Sequence, residues 1–286
     1  MKQVYILKNP NSFDLTHIFE CGQCFRWNKQ SDNSYTGVIK NRVINVKKSN
    51  NDYIFSSNES TELEKCITEY FDLNTNYEII KEKLSNIDEN LKLSIEYGDG
   101  IRILKQDIWE CIISFIISAN NNIPRIKKII ENISLNYGKK VIFDNKEYYL
   151  FPTPEDLSKA SVQDLRNLGL GFRDTRVYNS TKMILNKEID IEKLVKEKDT
   201  DKVREELLKL DGVGEKVADC ILLFGFNRFD VFPVDVWVRR VMNELYIHNE
   251  DENKVNKKEI RKIAKEKFLG IEGLAQQYLF YWKREQ

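Results

Sequence analysis

The pattern of apolar and polar positions changes character once along the chain. Over the first 56 or so residues, short β-prone runs are separated by Asn, Ser, Asp and Gly: Val4 to Leu7, Cys24 to Trp27, Ser34 to Ile39, Val43 to Val46 and Tyr53 to Phe55. Short runs bounded by turn formers predict strands, and their close succession predicts a small antiparallel sheet. From Ser60 onward the apolar residues recur at helical spacing, as in Leu63, Cys66, Ile67 and Tyr70, almost to the C-terminus. Asp107 to Ala119 is apolar nearly all round, as a buried central helix should be, and it runs into Asn120, Asn121 and Asn122, residues that favour exposed helix ends. The predicted fold class is α+β: a sheet-bearing N-terminal domain over residues 1–98 and a larger, all-helical domain over residues 99–286.

Composition narrows the class. With 286 residues, 41% of them hydrophobic, the chain has ample material for packed cores. Lysine and arginine number 45 and aspartate and glutamate 45, so a polyanionic partner is not implied by bulk charge, and any basic surface must be local. The basic run from Lys254 to Lys267 is interspersed with Val255, Ile260, Ile263 and Phe268 and reads as the solvated face of an amphipathic helix. The longest charge-free apolar-rich stretch, Cys111 to Ala119, falls far short of the roughly 20 residues that cross a bilayer. The N-terminal residues carry no secretory pattern, so a cytoplasmic protein without a membrane partner is expected. Five scattered cysteines (21, 24, 66, 111 and 220) argue against a disulfide framework. Cys21 and Cys24 have zinc-knuckle spacing, but His17 and His248 are not arranged to supply a second ligand pair, and an iron–sulfur cluster would need four grouped cysteines. No cofactor is expected.

The segment Leu207 to Asp219, LLKLDGVGEKVAD, ends one helix, turns at Gly212, Val213 and Gly214, and begins another. Glycines allow a tight turn with positive φ and leave N–H groups uncovered at the next helix start, a place for a phosphate. A bare Gly-x-Gly is equally an ordinary connection between helices. Here its surroundings, apolar-x-Gly-apolar-Gly-x-Lys-x-Ala, match the helix-hairpin-helix DNA-binding hairpin, over about residues 203–225. Further on, Asp235 in Val231-Phe-Pro-Val-Asp-Val236 precedes a helical run and on its own reads as an N-cap, as Lys216 on its own reads as a surface lysine. Cys220 follows Lys216 by four residues and so shares its helix face.

Taken together, the hairpin, Lys216 and the Pro-Val-Asp helix start resemble the base-excision DNA glycosylases of the helix-hairpin-helix superfamily. GVGEKVADC (212–220), SANNNIPRI (118–126), CGQCFRW (21–27), LGLGFR (168–173) and LAQQYLF (274–280) occur in the order found in the 8-oxoguanine DNA glycosylase family, a bifunctional glycosylase and abasic-site lyase. The resemblance implies duplex DNA containing oxidised guanine as substrate, preferentially with cytosine opposite, and a monomeric, nucleoid-associated enzyme. It implies Lys216 as the nucleophile that attacks C1′ and forms a Schiff base, and Asp235 as the carboxylate that stabilises the oxocarbenium-like sugar. A reactive amine must be neutral, so the Lys216 pKa is expected to be depressed by the helix start and by desolvation.

By the same resemblance, Cys220 and Phe280 lie on opposite faces of the flipped base, Gln276 reads its Watson–Crick edge, and the backbone at Gly22 meets N7, a donor in 8-oxoguanine and an acceptor in guanine. Asn120, Arg125, Phe172 and Arg173 fill the gap and hold the estranged base, and Gly212, Val213 and Gly214 bind phosphate. Cys220 and Phe280 are also ordinary core residues by type, and the arginines also suit phosphate contacts. A monovalent-cation site on the carbonyls of Leu208, Leu210 and Val213 is left open, and no other metal is implied. Trp237 departs from the family, many of whose members have a histidine there; Arg239 or Arg240 is expected to take over part of its role. Other readings remain: a glycosylase of the same superfamily for a different damaged purine, which Lys216 disfavours, or a DNA-binding module without catalysis.

Overall fold

The computed structural model describes residues 3–284. Five strands, β1 (Gln3–Leu7), β2 (Trp27–Lys29), β3 (Tyr35–Ile39), β4 (Arg42–Ser49) and β5 (Asp52–Ser57), form one antiparallel sheet in the order β1-β5-β4-β3-β2. Four of the expected strands fall where their alternation placed them. The expectation for Cys24 to Trp27 needs correction, because only Trp27 belongs to a strand. Residues 21–26 instead form a loop tied down by a side chain: the buried Gln23 amide donates to the Ile18 and Arg102 carbonyls (both 2.8 Å) and accepts from the Leu104 N–H (2.8 Å). Trp27 lies across Gly37 of β3, where an added Cβ would meet the indole at 2.4 Å. Only glycine leaves room for the ring, which stacks on Phe19 at 4.1 Å and donates to the Tyr70 hydroxyl.

The rest of the chain is helical, and polar caps start its helices as the pattern requires. Asp107 caps the central helix Ile108–Ser118, and Asn122 caps the helix Ile123–Tyr137, each side chain accepting an N–H three residues on. One interruption departs from the all-helical expectation: β6 (Lys140–Phe143) and β7 (Lys146–Tyr149) form a hairpin. Its two turn residues, Asp144 and Asn145, have φ of 51° and 59°, a conformation these short polar residues tolerate. The hairpin leans on the sheet, packing Phe143 with Val38 and Val43.

The main core surrounds the central helix, whose Ile112, Ile113, Ile116 and Ile117 are fully buried. Each such side chain contributes roughly 1.5–3 kcal/mol through removal of apolar surface from water. Ile221, Leu222, Leu274 and Tyr278 join this core, as do Cys21 and Phe25 from the loop after the first helix. A second cluster of Phe13, Trp27, Phe55 and Phe71 lies under the sheet. The C-terminal helix Glu272–Arg284 approaches the helix Glu215–Phe224 closely at Gly273, where a Cβ would stand 2.6 Å from Leu223 Cδ1. The basic run forms the amphipathic helix Lys257–Phe268, with Ile260, Ala264 and Phe268 buried. No helix among the described residues is long and apolar enough to cross a membrane.

Candidate active site

The helices Thr200–Leu207 and Glu215–Phe224 flank the glycine turn. Gly212 has φ of 82°, which favours glycine, and Gly214 starts the second helix without a side-chain cap and with open space where a Cβ would be. The first N–H groups of that helix therefore face outward, uncovered, as phosphate binding requires. The preceding helix Asp174–Leu185 braces the turn from behind: Ser180 Oγ donates to the Asp211 carbonyl (3.0 Å) and Asn179 to the Asp211 carboxylate (2.8 Å). The buried Asp219 carboxylate accepts from Arg204 (2.9 Å) and Arg261 (3.1 Å), tying the second hairpin helix to the first and to Lys257–Phe268. Burial pushes the Asp219 carboxyl up against the pull of both guanidiniums. Of the carbonyls considered for a cation, Leu210 already accepts from the Val213 N–H at 3.1 Å.

In the first turn of that helix, the Lys216 amine lies 5.8 Å from the centre of the Phe115 ring, with Cys220 one turn further on and the Asp235 carboxylate acting on its charge. Asp235 caps the helix Val236–Met242, its Oδ1 accepting from the Val238 N–H at 2.8 Å. The expected depression of the Lys216 pKa is not found. Cys220 and then Asp235 push the amine above the ordinary lysine value, outweighing the opposite effect of burial. The Cys220 thiol is itself pushed up to about 11 by burial, so at neutral pH the pair is an ammonium beside a neutral thiol. An approaching helix start and partial desolvation are too weak to neutralise a lysine that has two such neighbours.

A second group of the expected residues meets beside the loop of residues 21–26. Gly22 has φ of 85°, and a Cβ there would contact Phe280 at 3.4 Å and Arg284 at 3.5 Å. The Gly22 carbonyl accepts no hydrogen bond among the described residues. Gln277 holds this backbone in place by donating to the Cys21 carbonyl, and Arg284 donates to the Glu20 carbonyl while lying 5.5 Å from the Phe280 ring. Gln276 is 5% exposed, yet no described residue hydrogen-bonds its amide. It stands four residues before Phe280 on the same helix face.

The third group meets at the end of the central helix. Arg173, 2% exposed, donates to the carbonyls of Ala119 (2.8 and 2.7 Å), Asn120 (2.6 Å) and Leu170 (3.2 Å). It thereby holds Asn120 in its φ of 52° and lies 4.2 Å from the ring of Phe172, which is 54% exposed. Arg125 is exposed, and its side chain hydrogen-bonds the Gly169 carbonyl at 3.4 Å. Gly169 and Gly171, both at positive φ, shape the loop that presents Phe172. Trp237 is half exposed, with Arg240 at 5.5 Å from its ring and paired with Glu252.

Residues 5–112 match the 8-oxoguanine DNA glycosylase N-terminal domain, and residues 113–268 match the HhH-GPD superfamily base excision DNA repair proteins. The chain belongs to the HhH-GPD superfamily of base excision DNA repair proteins. A Saccharomyces cerevisiae N-glycosylase/DNA lyase is 31% identical over 282 residues, covering 88% of this chain and 73% of that protein. A probable N-glycosylase/DNA lyase of Methanothermobacter thermautotrophicus is 40% identical over 56% of this chain and 57% of its own length. The crystal structure of Clostridium acetobutylicum 8-oxoguanine glycosylase/lyase with double-stranded DNA containing cytosine opposite 8-oxoguanine superposes with a TM-score of 0.93, at 42% identity, covering 100% of this chain and 98% of that one.

Within this HhH-GPD protein, sequence reasoning passed over several residues that shape the site. Gln23 and Gln277 fix the Gly22 backbone, Phe115 lies under the Lys216 amine, and Arg176 flanks Phe172. Gln23 lies in CGQCFRW and Gln277 in LAQQYLF, where adjacency to Gly22 and Gln276 is the available signal.

Proposed function

We propose that this protein excises 8-oxoguanine from duplex DNA, with cytosine preferred opposite, and then nicks the strand as an abasic-site lyase. The observation that carries the reading is the placement of Lys216 in the first turn of the helix that follows an uncapped glycine hairpin, its amine 5.8 Å from the Phe115 ring centre, with Cys220 one turn on and the Asp235 carboxylate acting on both. The hairpin N–H groups grip a phosphate of the lesion strand, and Phe172 enters the stack as the nucleotide leaves it. The flipped base enters beside Phe280 and Cys220, where the Gln276 amide pairs with its edge and the Gly22 carbonyl accepts the N7–H that guanine lacks.

Chemistry then follows from charge. The bond from C1′ to N9 breaks as the Asp235 carboxylate stabilises positive charge on the sugar. Lys216 gives up one proton to water as DNA enters the pocket, its lone pair forms a bond to C1′, and the base departing from N9 takes a proton from water. Loss of the ring oxygen from C1′ yields the Schiff base, which acidifies C2′; removal of that proton expels the 3′ phosphate by β-elimination. A place beside chromosomal DNA follows from the substrate. Single-turnover excision on duplexes bearing 8-oxoguanine, 3-methyladenine or unmodified guanine tests the reading. Rapid release of 8-oxoguanine alone supports it, and faster release of an alkylated purine contradicts it.

A further inference from the structure

Arg176 sits between the exposed wedge and the glycine hairpin. Its guanidinium carbon is 5.1 Å from the centre of the Phe172 ring, and its stem passes over Gly212, where an added Cβ would stand 2.7 Å from Arg176 Cδ. The side chain is half buried, yet it makes no hydrogen bond or ion pair with any described residue. Its five N–H donors are unspent. Its neighbours make that position costlier: Arg125 and Arg176 are close enough to Arg173 that, after burial, both weaken its hold on its proton. None of the three arginines has a carboxylate within ion-pair distance among the described residues, since Arg166 takes the nearby Asp174 and Asn179 takes Asp211. Three like charges gathered without a counter-ion repel one another and are relieved only by an external anion.

We propose that Arg176 binds a backbone phosphate of the DNA strand held by the hairpin, and that this contact links seating of the hairpin to insertion of Phe172. It rests on the DNA-glycosylase reading for the identity of the polyanion. Because its stem is held by Gly212 and its head lies against Phe172, the guanidinium is placed where a phosphate moving onto the hairpin pulls on the wedge. Glycine at position 212 is then needed for two reasons, its positive φ and the passage of Arg176 across its face.

The test uses the full chain and a duplex containing a tetrahydrofuran abasic analogue, with affinity measured from low to high salt. Arg176→Gln keeps the stem over Gly212 and removes the charge; Arg176→Lys keeps the charge. The expected result is a 5- to 10-fold loss of affinity for Arg176→Gln near 0.1 M salt, with the slope of log K against log salt shallower by about 1. Arg176→Lys restores the slope. Wild-type affinity and slope in Arg176→Gln would overturn the proposal, and so would a loss of affinity in both variants with the slope unchanged, which marks a packing role. If the wild-type protein fails to excise 8-oxoguanine while the salt slopes behave as stated, the substrate reading fails and the phosphate contact stands.

Discussion

Lys216 and Cys220 stand one turn apart on the second hairpin helix, and the amine, held above the ordinary lysine value, is an ammonium beside a neutral thiol in the DNA-free protein. Cys220 is the largest of the influences that raise the Lys216 pKa. Activity that depends on the free amine therefore rises with pH on the alkaline side. The thiol raises the amine only as it ionises, near 11, so Cys220→Ala moves the upper part of that rising limb to lower pH. Single-turnover excision rates from pH 6 to 10 check this, read as the position of the limb rather than its height, because Cys220 also lines the proposed base pocket.

Asp235 does two things that substitution separates. Asn caps a helix about as well as Asp, so Asp235→Asn should keep the hydrogen bond to the Val238 N–H and melt within about 1 kcal/mol of the parent, while its excision rate falls by orders of magnitude. Asp235→Ala should lose the cap as well, at a cost of roughly 0.5–2 kcal/mol. Thermal melts paired with single-turnover rates distinguish the two effects.

The two arginines proposed for the estranged base should part company. Arg173 spends four hydrogen bonds on the carbonyls of Ala119, Asn120 and Leu170, so Arg173→Ala releases the Asn120 turn and lowers excision opposite every base. Arg125 keeps its donors near the surface, and Arg125→Ala should erode the preference for cytosine by about 10-fold, in line with 1–3 kcal/mol for a good pairing with a base edge. Rates on four duplexes with C, T, G or A opposite the lesion separate these outcomes.

Much of this was legible before the structure. The strands were readable because a half-buried sheet imposes alternation, and the hairpin because Gly212 takes a positive φ and Gly214 leaves the next helix start uncovered. The β6–β7 hairpin was overlooked although Asp144-Asn145 between two β-prone runs signals such a turn; a helical period on either side masked it. The Lys216 ionisation was not readable, because the fold sets how burial balances against Cys220 and against a carboxylate 19 positions away in sequence. The burial of Arg173 is similar: nothing local says that its partners are carbonyls at the end of another helix.

Glu110, in the first turn of the central helix, gives a stability test. Burial raises its carboxyl to about 7, against the pull of Arg26. A folded pKa above the unfolded one means that the native state favours the protonated form, so this contribution is fully present below the ordinary carboxylate range and is lost as pH rises through 7. Glu110→Gln imitates the protonated acid. It should melt with the parent at pH 5 and above it at pH 8, and equal melting differences at both pH values would contradict the assignment.

Borohydride trapping on a duplex with 8-oxoguanine opposite cytosine, followed by peptide mapping, addresses the Schiff base itself. Reduction should leave a covalent protein–DNA adduct located at Lys216, and Lys216→Gln should bind the same duplex without forming an adduct, releasing base or nicking the strand. An adduct on a different residue, or base release by Lys216→Gln at the parental rate, would contradict Lys216 as the nucleophile.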